Sequence, residues 1–174
     1  MGKLLIICVE TNKQSKTDWV YINETIHRFF TLTPDISIKP IYMGGKTNYD
    51  NKKVRKEIQN YTNKFKKNGK IFVVYFIDTD NIDVDPDRSR EFNTINTYCE
   101  EKHYGFVWFC RDIEEVYWGK RVSDSDKLQY ASQFRKKRVI NTISKEKLEN
   151  NTVHKYKSNI LSVLSRFLDN EIIQ

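Results

Sequence analysis

The segment Lys70-Ile-Phe-Val-Val-Tyr-Phe-Ile-Asp-Thr-Asp80 constrains the fold more than any other part of the chain. Ile71 to Ile77 is an unbroken apolar and aromatic run, which fits a strand buried on both faces, as in a parallel sheet covered by helices. It stops at Asp78-Thr79-Asp80, so two carboxylates two residues apart leave the strand together at its carboxyl end. In open α/β sheets, ligands bind at that edge. Carboxylates sharing one site repel each other unless a cation neutralises them, and the hard cation such oxygen sites usually hold is Mg²⁺.

The rest of the pattern supplies the layers around that strand. Leu4 to Val9 is another buried run, Ile36 to Tyr42 is a strand ended by Met43-Gly44-Gly45, and Gly105 to Cys110 is a fourth strand. Helical spacing runs from Ser15 or Thr17 to about Phe30, with Trp19, Ile22 and Ile26 on one stripe, and again from Asn51 to Lys66. Further helices start near Pro86 and at Asp112. The order β-α-β-α-β-α-β-α predicts an α/β fold: a mostly parallel four-stranded sheet flanked by helices. Beyond Gly119 the chain is more polar, with a helix expected over Asp124 to Arg138 and a terminal helix over Tyr156 to Leu168. Residues 1–120 are thus expected to form the α/β domain, and 121–174 a helical C-terminal extension packed on it.

A chain of 174 residues, 39% hydrophobic, is long enough for one domain with a real core. No run approaches the roughly 18 apolar residues of a membrane span. The amino-terminal strand shows no cleavage site, and Cys8, Cys99 and Cys110 lack CxxC spacing. A soluble, cytoplasmic protein with no membrane partner is expected. The net charge is +7, and its distribution is uneven. Acids crowd between Asp78 and Glu91. Basic residues flank them: Lys46, Lys52 and Lys53 on one side, and Arg135, Lys136, Lys137 and Arg138 on the other. This suits a metal site inside a phosphate-attracting surface, with DNA or RNA as partner. The same basic residues also read as solvated helix faces.

Acids fall at three strand ends: Glu10 after the first, Asp78 and Asp80 after the third, and Asp112, Glu114 and Glu115 after the fourth. A parallel sheet brings those ends to one edge, where a carboxylate-lined cation site would bind and polarise phosphate oxygens. Other motifs fail on spacing. An EF-hand loop begun at Asp78 would carry Asp83 where glycine belongs and Ser89 where glutamate belongs. Gly45-Lys46-Thr47 lacks the first glycine of a phosphate loop.

These residues resemble the TOPRIM domain, in which a glutamate follows the first strand and an Asp-x-Asp follows the third. Within that group the likeness is to small RloB-like, OLD-type TOPRIM proteins of prokaryotes. Ile6-Ile-Cys-Val-Glu10 with Thr17-Asp18-Trp19-Val20-Tyr21 is similar to their opening motif, and Phe76-Ile-Asp-Thr-Asp80 to their Asp-x-Asp strand. Cys110-Arg-Asp-Ile-Glu-Glu-Val-Tyr117 is similar to their late acidic segment. The likeness covers roughly Leu4 to Trp118; Thr11 stands where a glycine is common, and the late segment lacks Asn-Pro.

The resemblance implies that Glu10 is a general acid/base near the scissile phosphate or a metal contact. Asp78 and Asp80 would then hold Mg²⁺ or Mn²⁺, and Glu114 or Glu115 a second ion. Asp18 is either a further contact or an early-helix acid favoured by the helix dipole. The implied activity is a metal-dependent nuclease or other phosphodiesterase in prokaryotic defence or a mobile element. A homo-oligomer or a separate protein partner, such as an ATPase subunit, would accompany it. The alternative is a nucleic-acid-binding module or partner subunit that keeps the fold and cuts nothing.

Overall fold

A computed structural model describes residues 1–170; the last four residues of the expected extension lie outside them. In chain order the elements are β1 (Gly2–Val9), α1 (Thr17–Phe29), β2 (Phe30–Thr31), β3 (Ile36–Tyr42), α2 (Lys52–Phe65) and β4 (Gly69–Asp78). They continue with α3 (Pro86–Glu101), β5 (Gly105–Phe109), α4 (Ile113–Trp118), α5 (Lys127–Lys136), α6 (Lys145–Leu148), α7 (Ile160–Leu164) and β6 (Asp169–Asn170). Short 3₁₀ turns cover Lys46–Asn48 and Val139–Thr142.

Period-two alternation divides the strand side chains between two cores. Leu5, Ile7, Val9, Val74, Phe76, Val107 and Phe109 face one, packed with residues of α1, α4, α5 and α7. Leu4, Ile6, Cys8, Val73, Tyr75 and Ile77 face the other, packed with Val54 and Ile58 of α2 and Ile95 and Cys99 of α3. Cover on both faces is why these strands read as continuous apolar runs. The sheet order is β3-β1-β4-β5 and every pairing is parallel, giving an α/β, Rossmann-like architecture. Among the described residues no helix is long and apolar enough to cross a membrane.

Strand order decides where a ligand crevice lies. The connection from β1 goes outward to β3, whereas that from β4 goes the other way to β5. The carboxyl ends of β1 and β4 therefore flank the topological switch point, the crevice used by ligands in open α/β sheets.

The terminal helix expected over Tyr156–Leu168 is a correction: the helix is only Ile160–Leu164. Tyr156 has φ +62, outside the helical region. Ser158 bridges to Phe109 at the sheet edge, and its Oγ donates to Trp108 O at 2.7 Å. Asn159 accepts from Trp108 N and donates to Phe106 O, so its side-chain amide stands in for a neighbouring strand. The apolar spacing is still satisfied, because Ile160, Leu161, Val163, Leu164 and Leu168 are all buried. After them the chain forms β6, which pairs antiparallel with β2. The helix expected over Asp124–Arg138 is shorter too, and its Phe134 packs on Tyr21 of α1 with ring centres 4.7 Å apart.

Candidate functional site

Backbone hydrogen bonds continue past the strand ends and fix the loops that carry the acids. Met43 N donates to Val9 O at 2.9 Å and Gly45 N to Glu10 O at 2.7 Å. On the other side of β4, Thr79 N donates to Phe109 O and Asp80 N to Arg111 O. The first turn needs its glycines: Gly44 has φ +71 and Gly45 φ +123, regions that side chains disfavour. It delivers Lys46 directly over the acids. Asp80 itself sits at φ +52, a conformation aspartate tolerates better than most residues.

Three carboxylates each hold the backbone of the next element. Glu10 Oε1 accepts from Asp78 N at 2.7 Å. Asp78 Oδ1 accepts from Ile113 N at 3.0 Å. Asp112 Oδ1 accepts from Glu115 N at 2.7 Å, capping α4. The row therefore links β1 to β4, β4 to α4, and α4 to its own first turn. Its members reach this place because β1, β4 and β5 are parallel and adjacent, as the positions of Glu10, Asp78 and Asp112 along the sequence predict.

Crowding and burial push these acids toward their protonated forms. Asp78 is raised well above the usual carboxylate range by burial, and then by Glu10, Asp18, Glu114 and Asp112 around it. Burial raises Glu10 to about 8, although Lys46 and the Asp78 amide oppose it. Glu114 is raised to about 7 by burial against the pull of Lys127. Burial likewise raises Asp18 to about 6, opposed by the Thr11 amide, which donates to its Oδ2, and by Lys127.

Two lysines enter the cluster. Lys46 is 6% exposed; its Nζ lies 2.5 Å from Asp80 Oδ2, 3.1 Å from Asp78 O and 3.5 Å from Glu91 Oε2. Burial alone would lower its pKa, but Asp80, Glu10 and Glu91 outweigh that and raise it. Lys127 Nζ lies 3.2 Å from Glu114 Oε2, 3.8 Å from Asp112 Oδ2 and 3.7 Å from Asp124 Oδ1. The Glu114 contact is an ion pair outside hydrogen-bond geometry, since neither carboxylate oxygen of this fully buried residue has a hydrogen-bond partner.

The structure brings Glu10, Asp78, Asp80 and Glu114 to one edge. Glu115 is buried in the first turn of α4 and lines an adjoining cavity with Arg111 and Arg121. Lys46, expected among the basic residues facing nucleic acid, is engaged with the acids instead. Lys52 and Lys53 are exposed on the first turn of α2. Arg135, Lys136, Lys137 and Arg138 are exposed at the far end of α5. At 1.5 Å per residue, Lys136 lies about 13 Å along the helix from Lys127. Lys127 carried no sequence signal: it is one lysine among many, and only the docking of α5 on α1 aims it at Glu114.

The donor set is hard oxygen throughout, which suits Mg²⁺ or Mn²⁺ rather than a softer metal. Among the described residues no group of three or more His, Cys, Asp or Glu side chains is gathered so as to hold a metal ion. Mg²⁺ does not demand such a cage, because it commonly keeps several waters and takes one or two carboxylates plus substrate phosphate oxygens. Asp78 and Asp80 beside Glu10, with the unpartnered oxygens of Glu114 nearby, fit that mode of binding. No family model matches the chain, and no curated protein or solved structure does either.

Proposed function

We propose that this protein is a TOPRIM-type phosphodiesterase that cuts DNA or RNA with Mg²⁺ or Mn²⁺ at the carboxyl edge of its sheet. The observation carrying this reading is the linked row Glu10, Asp78 and Asp112 at the switch point, with Asp80 and Glu114 beside it. Asp78 and Asp80 would hold the first cation together with waters and phosphate oxygens, with Glu10 beside them, and Glu114 or Glu115 would reach a second. When bound, the cation polarises phosphate oxygens and makes a water ligand more acidic.

The chain's own residues supply the remaining chemistry. Glu10, held against the Asp78 amide, is raised to about 8 by burial. It is therefore placed to give a proton to the leaving oxygen, or, once ionised, to take one from the attacking water. Lys46 holds the Asp80 carboxylate in place and offers positive charge beside the phosphate. Lys127 balances Glu114. As a further proposal from its composition the protein is cytoplasmic, and by the resemblance it belongs to prokaryotic defence or a mobile element, with an ATPase subunit or further copies of itself as partner.

Cleavage of mixed single- and double-stranded DNA and RNA with Mg²⁺ or Mn²⁺ tests this, comparing wild type with Asp78→Ala/Asp80→Ala. Metal-dependent cutting that the double variant loses is the expected result. A second reading, a nucleic-acid-binding module that cuts nothing, is favoured by one observation: Lys46 and Lys127 already neutralise part of the acid cluster. Salt-sensitive binding with no cutting by either protein would select that reading.

A further inference from the structure

Beside the acid edge lies a second feature, a cavity of about 240 Å³ lined by Arg88, Arg111 and Arg121 together with Asp80, Asp112 and Glu115. The cleft over the acids is lined by Asp78, Asp80, Asp112, Arg121 and Lys127 among others. Asp80, Asp112 and Arg121 are common to both, so the two spaces share a wall.

The charges in this cavity are unevenly used. Asp80 is paired with Lys46, and Asp112 caps α4 while facing Lys127. Of the three arginines, Arg88 is paired with Glu91 at 3.3 Å. Among the described residues neither Arg111 nor Arg121 has an ion-pair or side-chain hydrogen-bond partner. Glu115 alone opposes them without a partner of its own. With Asp80 and Asp112 engaged by lysines, two guanidinium groups without side-chain partners against the one carboxylate of Glu115 leave a surplus of positive charge suited to a phosphate, whose oxygens match their forked donors.

The backbone holds both arginines in position. The carbonyl of Arg111 accepts from Asp80 N, which ties this residue to the Asp-x-Asp loop. Gly119, at φ +67, ends α4 and turns the chain back, and Val122, 4% exposed, anchors the segment just after Arg121.

We propose that Arg111 and Arg121, with Arg88 at the rim, form a phosphate-binding subsite for the backbone phosphate next to the one at the acid edge. This rests on the phosphodiesterase reading for the identity of the chain it holds, but the subsite itself requires no cleavage. It seats a strand so that its neighbouring phosphodiester lies over Asp78 and Asp80. A free phosphate compound shares the same chemistry and is the other source to be distinguished.

The test is binding at low ionic strength in EDTA, where no cutting takes place. Fluorescence anisotropy of a labelled single-stranded oligothymidylate is measured with wild type, Arg111→Ala/Arg121→Ala and the outer pair Arg135→Ala/Lys136→Ala. Inorganic pyrophosphate is the competitor. We expect the cavity double variant to lose about tenfold or more in affinity, the scale of one charge-assisted hydrogen bond. The outer pair should lose less, and pyrophosphate should displace the strand from wild type at lower concentration than from the cavity variant.

Arg111 is half-buried, so Arg121→Ala alone, at an exposed position, serves as a second variant and should weaken binding with an unchanged melting temperature. Equal affinities of wild type and both cavity variants for strand and pyrophosphate overturn the proposal. Direct calorimetric binding of pyrophosphate that depends on Arg111 and Arg121, with no strand binding, keeps the subsite and removes the polynucleotide. Failure of the phosphodiesterase reading is thereby read separately from failure of the subsite.

Discussion

Lys46 and Lys127 both place an ammonium among the carboxylates, yet they are held by different parts of the chain. Lys46 rides a 3₁₀ turn tied to the sheet by main-chain bonds from Met43 and Gly45, and donates to Asp78 O and Asp80 Oδ2. Lys127 comes from the first turn of α5, is 27% exposed, and faces three acids at 3.2 to 3.8 Å without a hydrogen bond to any. On the Lys46 side the partner carboxylate, Asp80, is 41% exposed and water reaches it. On the Lys127 side the partner Glu114 is buried, its side chain 1% exposed. The comparison separates two things a buried cation does: fixing geometry, and compensating charge where solvent does not.

The largest effect should come from the compensating lysine. Lys127→Met leaves Glu114 without its cation and should lower unfolding free energy by about 3 kcal/mol at pH 8.5, the scale for breaking a buried pair. Urea titration should show a smaller loss at pH 5.5, because Glu114, raised to about 7, is then mostly protonated. Lys127→Met/Glu114→Gln should recover much of the loss. Equal losses at both pH values would remove the compensating role.

Lys46→Met should destabilise less, by about 2 kcal/mol, since charged hydrogen bonds are lost but Asp80 is rehydrated. Its larger consequence should be functional: metal-dependent cleavage should fall while single-strand affinity changes little. A Lys46 variant with full activity would reduce this lysine to a structural strut.

Acid titration provides a third contrast. Folding raises Glu10, Glu114 and Asp18 to about 8, 7 and 6, so the folded protein holds protons that the unfolded chain has released. The stability these groups contribute is complete below their unfolded values of about 4, and is lost progressively as pH rises from there to the folded values of about 6, 7 and 8, most steeply between about pH 4 and 6. In EDTA, thermal melts should therefore show falling stability over that window. Added Mg²⁺ favours the ionised carboxylates, so it should raise the melting temperature more at pH 8.5 than at 5.5. A metal effect independent of pH would place the cation elsewhere. Smallest of all, Arg135→Ala/Lys136→Ala at the exposed end of α5 should shift stability by less than about 0.5 kcal/mol.

The sheet and its acids were legible because they obey local rules. Ile71–Ile77 and Leu4–Val9 announce doubly covered strands, and parallel pairing then dictates that Glu10, Asp78 and Asp112 meet. Residues set by tertiary docking were not legible. Lys127 and Arg121 belong to the polar segment after Gly119, where periodicity is weak; the aim of Lys127 depends on α5 lying against Tyr21, and that of Arg121 on the turn at Gly119 and the buried Val122. The segment from Tyr156 misled for a related reason. Its apolar spacing fits a helix, but Ser158 and Asn159 satisfy the open edge of β5, and an edge needing hydrogen bonds overrode the helical preference.

The most direct measurement is a calorimetric titration of Mn²⁺ at pH 8 into wild type, Asp78→Asn and Lys127→Met. The acid edge as a cation site predicts binding to wild type that Asp78→Asn abolishes and that Lys127→Met retains or strengthens. Absence of Mn²⁺ binding to the folded wild-type protein, or binding that Asp78→Asn leaves unchanged, would contradict it.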